Sequence, residues 1–273
     1  MIRSHFLMGN KGLTLVEVLV VLLMSSVVMV AVYSTLISQQ HTYRAQDQVV
    51  EMQQSIRTGL DLMIREVRMA GYGGKILTTF GNVNTFSTII TPVNGTPHDT
   101  LTVLLADDIA ALVQNAPAGS SQLALNIPAA DKVFDIGKKK YLCLNGQNNY
   151  LVQSVSGNTV TLATALLEDH LTNESVSLVK AITYRIEPGT TDLVRDENAG
   201  EGGQILSNHV EDLQLSYTLA DGTVLDLPGT PSDIRVIHIV ITGRTAIPDS
   251  RYMNDGYRRQ TMTATVEIRN MGL

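Results

Sequence analysis

Leu13–Ile37 reads LTLVEVLVVLLMSSVVMVAVYSTLI, 25 residues with one formal charge, Glu17. As a helix this segment runs about 37 Å, enough to cross a bilayer core about 30 Å thick. Before it stand residues 1–12, MIRSHFLMGNKG, with Arg3 and Lys11; after Glu17 the next formal charge is Arg44. Positive charge on the N-terminal side predicts that this end stays in the cytoplasm and that the bulk of the chain lies outside.

Two ordinary readings compete for the segment. A cleaved secretory signal has an apolar core of about 7–15 residues followed by a small-residue cleavage site, and this segment is longer and carries a carboxylate near its start. A plain membrane anchor explains the length but not Glu17, because a carboxylate in hydrocarbon costs a few kcal/mol unless paired and marks a functional position.

Lys11-Gly12-Leu13-Thr14-Leu15-Val16-Glu17 resembles the type IV prepilin signature: a basic leader ending in Gly, an apolar first mature residue, and Glu at the fifth mature position. The resemblance implies cleavage between Gly12 and Leu13 by a prepilin peptidase, N-methylation of Leu13, and pairing of Glu17 with the N-terminal amine of a neighbouring subunit. Leu13 stands where the family usually has Phe. The physics agrees with these roles. Cleavage creates an amine at a helix N-terminus inside the membrane, one turn from Glu17, and pairing the two removes isolated charges from lipid. Glu17 is also placed to cap its own helix N-terminus.

The helical pattern continues past the apolar segment. No proline precedes Pro92, and Val49, Met52, Ile56, Leu60, Met63 and Val67 recur at spacings of three and four, one stripe along a helix. Arg44, Asp47, Glu51, Gln54, Asp61 and Arg65 fill the other faces. The pattern predicts one helix from Leu13 to Ala70, about 87 Å long, stopped at Gly71-Tyr72-Gly73-Gly74. A soluble coiled coil is a poorer reading, since the stripe is short and its heptads irregular. Many pilins have a proline in the membrane half; here Ser34 and Thr35 occupy the corresponding region.

Beyond residue 75, short β-rich runs alternate with Gly, Pro, Asn and Asp turns. Strands are expected at 99–106, 122–127, 140–144, 150–155, 159–163, 176–187, 210–219, 234–242 and 261–269. Alternation in Leu213-Gln214-Leu215-Ser216-Tyr217 and Met262-Thr263-Ala264-Thr265-Val266 predicts half-buried antiparallel strands, and Val236–Ile241 a central one. The class is α+β: a long N-terminal helix, transmembrane in its first half, packed on an antiparallel β-sheet head. The expected divisions are a cytoplasmic leader 1–12, a transmembrane or filament-core segment 13–37, an amphipathic continuation 38–72 and a β-rich head 73–273.

The likeness extends along the chain. Arg65–Tyr72, Asp99–Val103, Val210–Tyr217 and Tyr257–Thr261 are similar to PilW-type minor pilins, which are related to the J-type minor pseudopilin of type II secretion. The resemblance implies a type IV pilin-like fold and a minor pilin that helps prime pilus assembly, at or near the tip, beneath another subunit because Glu17 is kept. It implies as partners other minor pilins, the major pilin, the prepilin peptidase/methyltransferase and an inner-membrane assembly platform. It implies a single-pass inner-membrane protein with a periplasmic head that later enters the filament. The alternatives are a J-type pseudopilin and a membrane-anchored periplasmic enzyme or sensor.

The chain's composition fits this class. Its net charge is −6, and loss of Arg3 and Lys11 with the leader takes it to −8; an acidic body disfavours nucleic acid as a partner. The basic clusters Lys138–Lys140 and Arg258-Arg259 read as solvated turns. Cys143 is the sole cysteine and reads as a small buried residue of an apolar strand. No nucleophile-elbow, zincin or phosphate-loop motif occurs, so no catalytic residue, metal ligand or cofactor is expected. His5, His41, His98, His170, His209 and His238 are scattered; His238 reads as a core histidine, and His170 with Glu174 as an i, i+4 pair lacking a third partner. Glu187–Gly203, with Asp192, Asp196, Glu197 and Glu201, reads as a solvated acidic loop without EF-hand spacing for calcium.

Overall fold

The structure, a computed structural model, describes residues 14–73, 75–76, 83, 85–127, 133–134, 138–146 and 148–271. Helix α1 spans Leu15–Arg68 without interruption. The leader 1–12, Leu13, and Gly74 of the expected stop lie outside the described residues. The chain divides into two compact units, residues 1–48 and 49–273.

In the first unit, the helix from Leu15 to Leu36 exposes nearly every large apolar side chain, Leu15, Leu19, Leu22 and Val28 among them. The helix is long and apolar enough to cross a membrane. Four hydroxyls inside it turn back to carbonyls of the preceding turn: Ser26 to Leu23 (2.7 Å), Ser34 to Ala31 (2.9 Å), Thr35 to Ala31 (2.9 Å) and Thr42 to Ser38 (3.1 Å). Each hydroxyl thereby meets a hydrogen-bonding need within the helix itself.

In the second unit the helix buries one stripe: Met52, Ile56, Gly59, Leu60, Met63 and Val67, with Val49 packed at its edge. The spacing of three and four residues puts these on one face, and each fully buried Ile, Met or Val is worth about 1.5–3 kcal/mol. The helix closes through Met69 and Ala70, whose amides reach Arg65 and Val67 carbonyls at 3.2 and 3.1 Å. Gly71 then takes φ +77° and donates to the Leu104 carbonyl at 2.8 Å. That left-handed residue is the expected glycine stop.

Among the described residues fifteen strands follow: β1 (Tyr72–Gly73), β2 (Lys75–Ile76), β3 (Ile90–Val93), β4 (Thr100–Ala111), β5 (Gln122–Ala124), β6 (Tyr141–Leu144), β7 (Asn148–Ser156), β8 (Thr159–Leu162), β9 (Ser175–Ile186), β10 (Leu193–Asp196), β11 (Gln204–Ser207), β12 (Val210–Leu219), β13 (Val224–Leu225), β14 (Ile234–Arg244) and β15 (Arg259–Glu267). All nine expected strands are present, with ends shifted by a few residues. The additional ones are short: β3 carries Pro92, and β10 and β11 fall within or beside the acidic stretch.

The strands form a β1–β2 pair, a nine-stranded sheet and a four-stranded sheet, every pairing antiparallel. In the large sheet, β4 pairs with β9 from Leu101↔Tyr184 to Ala111↔Ser175. The other edge of β9 is shared: β10 takes residues 183–186 and β6 takes 176–179. Between them, the Asn198 amide donates to the Ala181 carbonyl and the Thr183 hydroxyl, both at 2.8 Å. The four-stranded sheet runs β13-β12-β14-β15.

One core joins the helical stripe to both sheets, through Leu101, Val103, Ile182 and Tyr184 on one side and Leu213, Ile237, Ile239, Ile241 and Val266 on the other. A second core, around Leu123, Leu142, Tyr150 and Val160, fills the lobe built by β5–β8. Asp99 ties the sheets together: its carboxylate accepts from the Leu215 amide (2.7 Å) and its own amide donates to the Leu213 carbonyl (2.9 Å). The α+β class, with one long N-terminal helix and antiparallel sheets, is the one expected from the sequence.

Candidate functional site

The helix begins on a reciprocal cap. The Glu17 amide donates to the Thr14 hydroxyl (3.3 Å), and the Thr14 amide donates to a Glu17 carboxylate oxygen (3.4 Å). Thr at the cap and Glu three residues on is the capping-box pattern, which satisfies two of the free amides of a helix start and sets negative charge at its positive end. Glu17 therefore does cap its own helix. Gly12 and Leu13, expected as the cleavage and methylation positions, lie outside the described residues.

A second polar constellation, in the head, was not singled out in the sequence. Glu66 on α1 receives Arg195 of β10 through Nε at 2.9 Å and Nη2 at 2.9 Å. The Tyr184 hydroxyl donates to the same carboxylate, and Arg195 Nη1 reaches Glu197 at 2.9 Å. Arg195 is buried. Burial alone opposes its charge, yet the hydrogen bonds and attraction of Glu66 and then Glu197 outweigh it and push the guanidinium pKa up. Burial, reinforced by the Glu66 charge, likewise raises the Tyr184 hydroxyl. Glu197 resists its own burial through Arg195 and ends below the usual carboxylate value. The signal in the sequence was an acid in the last turns of a helix, where the dipole disfavours it. The arrangement locks helix to sheet and offers no nucleophile.

The remaining polar residues differ from expectation in instructive ways. The acidic stretch is folded: β10 lies within it, Asp196 and Glu187 bind Arg185 at 3.1 and 2.9 Å, and Glu201 pairs with Lys138. Lys140 faces Glu197 at 3.7 Å. The expected solvated lysine turn and the expected solvated acidic loop thus neutralise each other across the β6–β10 gap. Arg258 binds Asp249 at 3.0 Å, and Arg259 holds both Glu211 (2.8 Å) and Asp255 (3.0 Å), so this pair also is bound. His238 sits on the half-exposed face of β14, between the hydroxyls of Thr218 (2.8 Å) and Thr265 (3.2 Å), and is not a core residue. Among the described histidines His170 is the buried one, with Nδ1 2.7 Å from Glu174. Cys143 is buried, and desolvation pushes its thiol up to about 12. Among the described residues, no group of three or more His, Cys, Asp or Glu side chains is placed to hold a metal ion.

An exposed apolar helix with a capped carboxylate at its start, followed by a tightly bonded β head, defines a class: a β-rich protein carried on an N-terminal membrane-type helix. Residues 7–33 match the family model of the prokaryotic N-terminal methylation motif, the motif of type IV pilin precursors. Among solved structures, the chain is similar to a type IV-like pilin from Thermus thermophilus, with 10% identity over 80% of this chain and 97% of that chain, at a TM-score of 0.41. No curated protein matches.

Proposed function

We propose that the chain is the precursor of a type IV minor pilin: a structural subunit, cut between Gly12 and Leu13, methylated at Leu13 and carried into a filament by its helix. The observation that supports this reading most is the coincidence of the methylation motif over residues 7–33 with a helix start whose apolar side chains are all exposed and whose first carboxylate is Glu17. An exposed apolar helix needs lipid or like helices around it. Residues 13–37 would supply that contact, 38–72 the docking stem and 73–273 the exported head. After cleavage the new amine of one subunit lies within reach of Glu17 of the next, and their pairing removes two charges from an apolar bundle. Its partners would be other minor pilins, the major pilin, the peptidase/methyltransferase and the inner-membrane assembly platform, with the N-terminus cytoplasmic before assembly and a place near the filament tip.

Replacement of Glu17 by Ala tests the pairing. The variant should be processed normally and should lose surface filaments; filaments at wild-type number would overturn the pairing. A J-type pseudopilin of type II secretion shares the motif and the helix, and deletion of the gene separates the two readings. Lost pili with intact protein export favours the pilin, and lost export with intact pili favours the pseudopilin.

A further inference from the structure

The four-stranded sheet has one long edge left open. β15 pairs with β14 in unbroken register from Val236↔Glu267 to Arg244↔Arg259. Among the described residues nothing pairs with its other side. The run Thr261–Val266 carries no charge, proline or bulge, the devices by which edge strands are ordinarily blunted. The opposite edge of the sheet is β13, where Val224 (57% exposed), Leu225 and nearby Leu227 (54% exposed) lie open.

The directions of these two edges match. Gln53 of the helix bonds Gln260 at the start of β15, and the Arg68 carbonyl accepts from Arg269 just past its end. β15 therefore runs in the same sense as the helix stem beneath it. Successive antiparallel pairings make β14 run opposite to the stem, β12 with it and β13 opposite. Two copies standing side by side with parallel stems thus bring β13 of one antiparallel to β15 of the other, the geometry of ordinary strand addition. Two β15 edges pairing antiparallel with each other would need antiparallel stems, which copies held at one end in the same membrane do not have.

We propose that the free edge of β15 receives the β13 edge, residues 223–227, of a second copy of this chain, joining heads head to tail into a continuous sheet. The proposal rests on the reading of the chain as a filament subunit with parallel helices. The contact is heterologous and leaves a fresh β15 edge at the end of each addition. It also covers Val224, Leu225 and Leu227, which the isolated head leaves in water.

The test uses the full chain in its native membrane. Val224→Cys and Thr263→Cys replace exposed side chains, and native Cys143 is buried. Cells co-expressing the two variants are treated with a short bis-maleimide. A crosslinked dimer should form in the mixture and should be absent with either variant alone. No dimer in the mixture, with N-terminal processing and filaments intact, overturns the sheet contact and leaves the filament reading standing. A dimer from Thr263→Cys alone overturns the head-to-tail arrangement in favour of a two-fold one.

Discussion

Glu66 and Arg195, 129 positions apart in the chain, meet through bonds of 2.9 Å from both Nε and Nη2 of the guanidinium. The pair joins the stem to β10, with Tyr184 and Glu197 completing it. Glu66→Ala should destabilise the head by about 3–5 kcal/mol, because it strands a buried guanidinium. The double variant Glu66→Leu/Arg195→Leu should recover a large part of that loss. Urea unfolding followed by circular dichroism checks both.

Ile56 packs directly on the backbone of Gly243: a Cβ placed there would overlap the Ile56 side chain and lie 3.4 Å from the His209 carbonyl oxygen. Gly243→Val should cost about 1–3 kcal/mol through overpacking, and Ile56→Ala in the same chain should relieve part of it. Ile56→Ala alone should cost about 2–5 kcal/mol by leaving a cavity. Non-additive unfolding midpoints in the double variant are the expected signature.

Glu197 and Glu211 are both held below the ordinary carboxylate value of 4.5: Glu197 by Arg195 against its own burial, and Glu211 first by its hydrogen bonds from Arg259. A lowered folded-state pKa adds stability above the unfolded value, and that stability disappears as pH falls through the folded one. The urea midpoint should therefore drop as pH is lowered from about 5 to about 3, and the drop should be shallower in Glu197→Gln/Glu211→Gln.

Cys143, buried in β6 with its thiol raised to about 12, should resist thiol reagents at pH 8 in the folded chain and react fully in denaturant. Rapid labelling of the native chain would contradict the burial.

The helix and the main strands were legible because their signals are periodic and local. The stripe from Met52 to Val67 repeats at helical spacing, and β12 and β15 alternate residue by residue. What the sequence hid depends on distant partners. β10 reads as loop because Arg195 and Asp196 break its apolar run, yet Glu66 and Arg185 neutralise both. Lys138 and Glu201 look like separate solvated charges until the fork in the large sheet brings them together. His238 is flanked by apolar neighbours in sequence, but the two-residue period of β14 turns it outward to two threonines. At the N-terminus, Glu17 was expected to cap its own helix, and the structure adds the partner that expectation left out, the Thr14 hydroxyl, which completes a capping box.

The most direct test of the filament account is mass spectrometry of the chain purified from its native membrane. The account predicts a mature chain that starts at Leu13 and carries one N-terminal methyl group. A functioning chain that retains Met1 and residues 1–12 would contradict it.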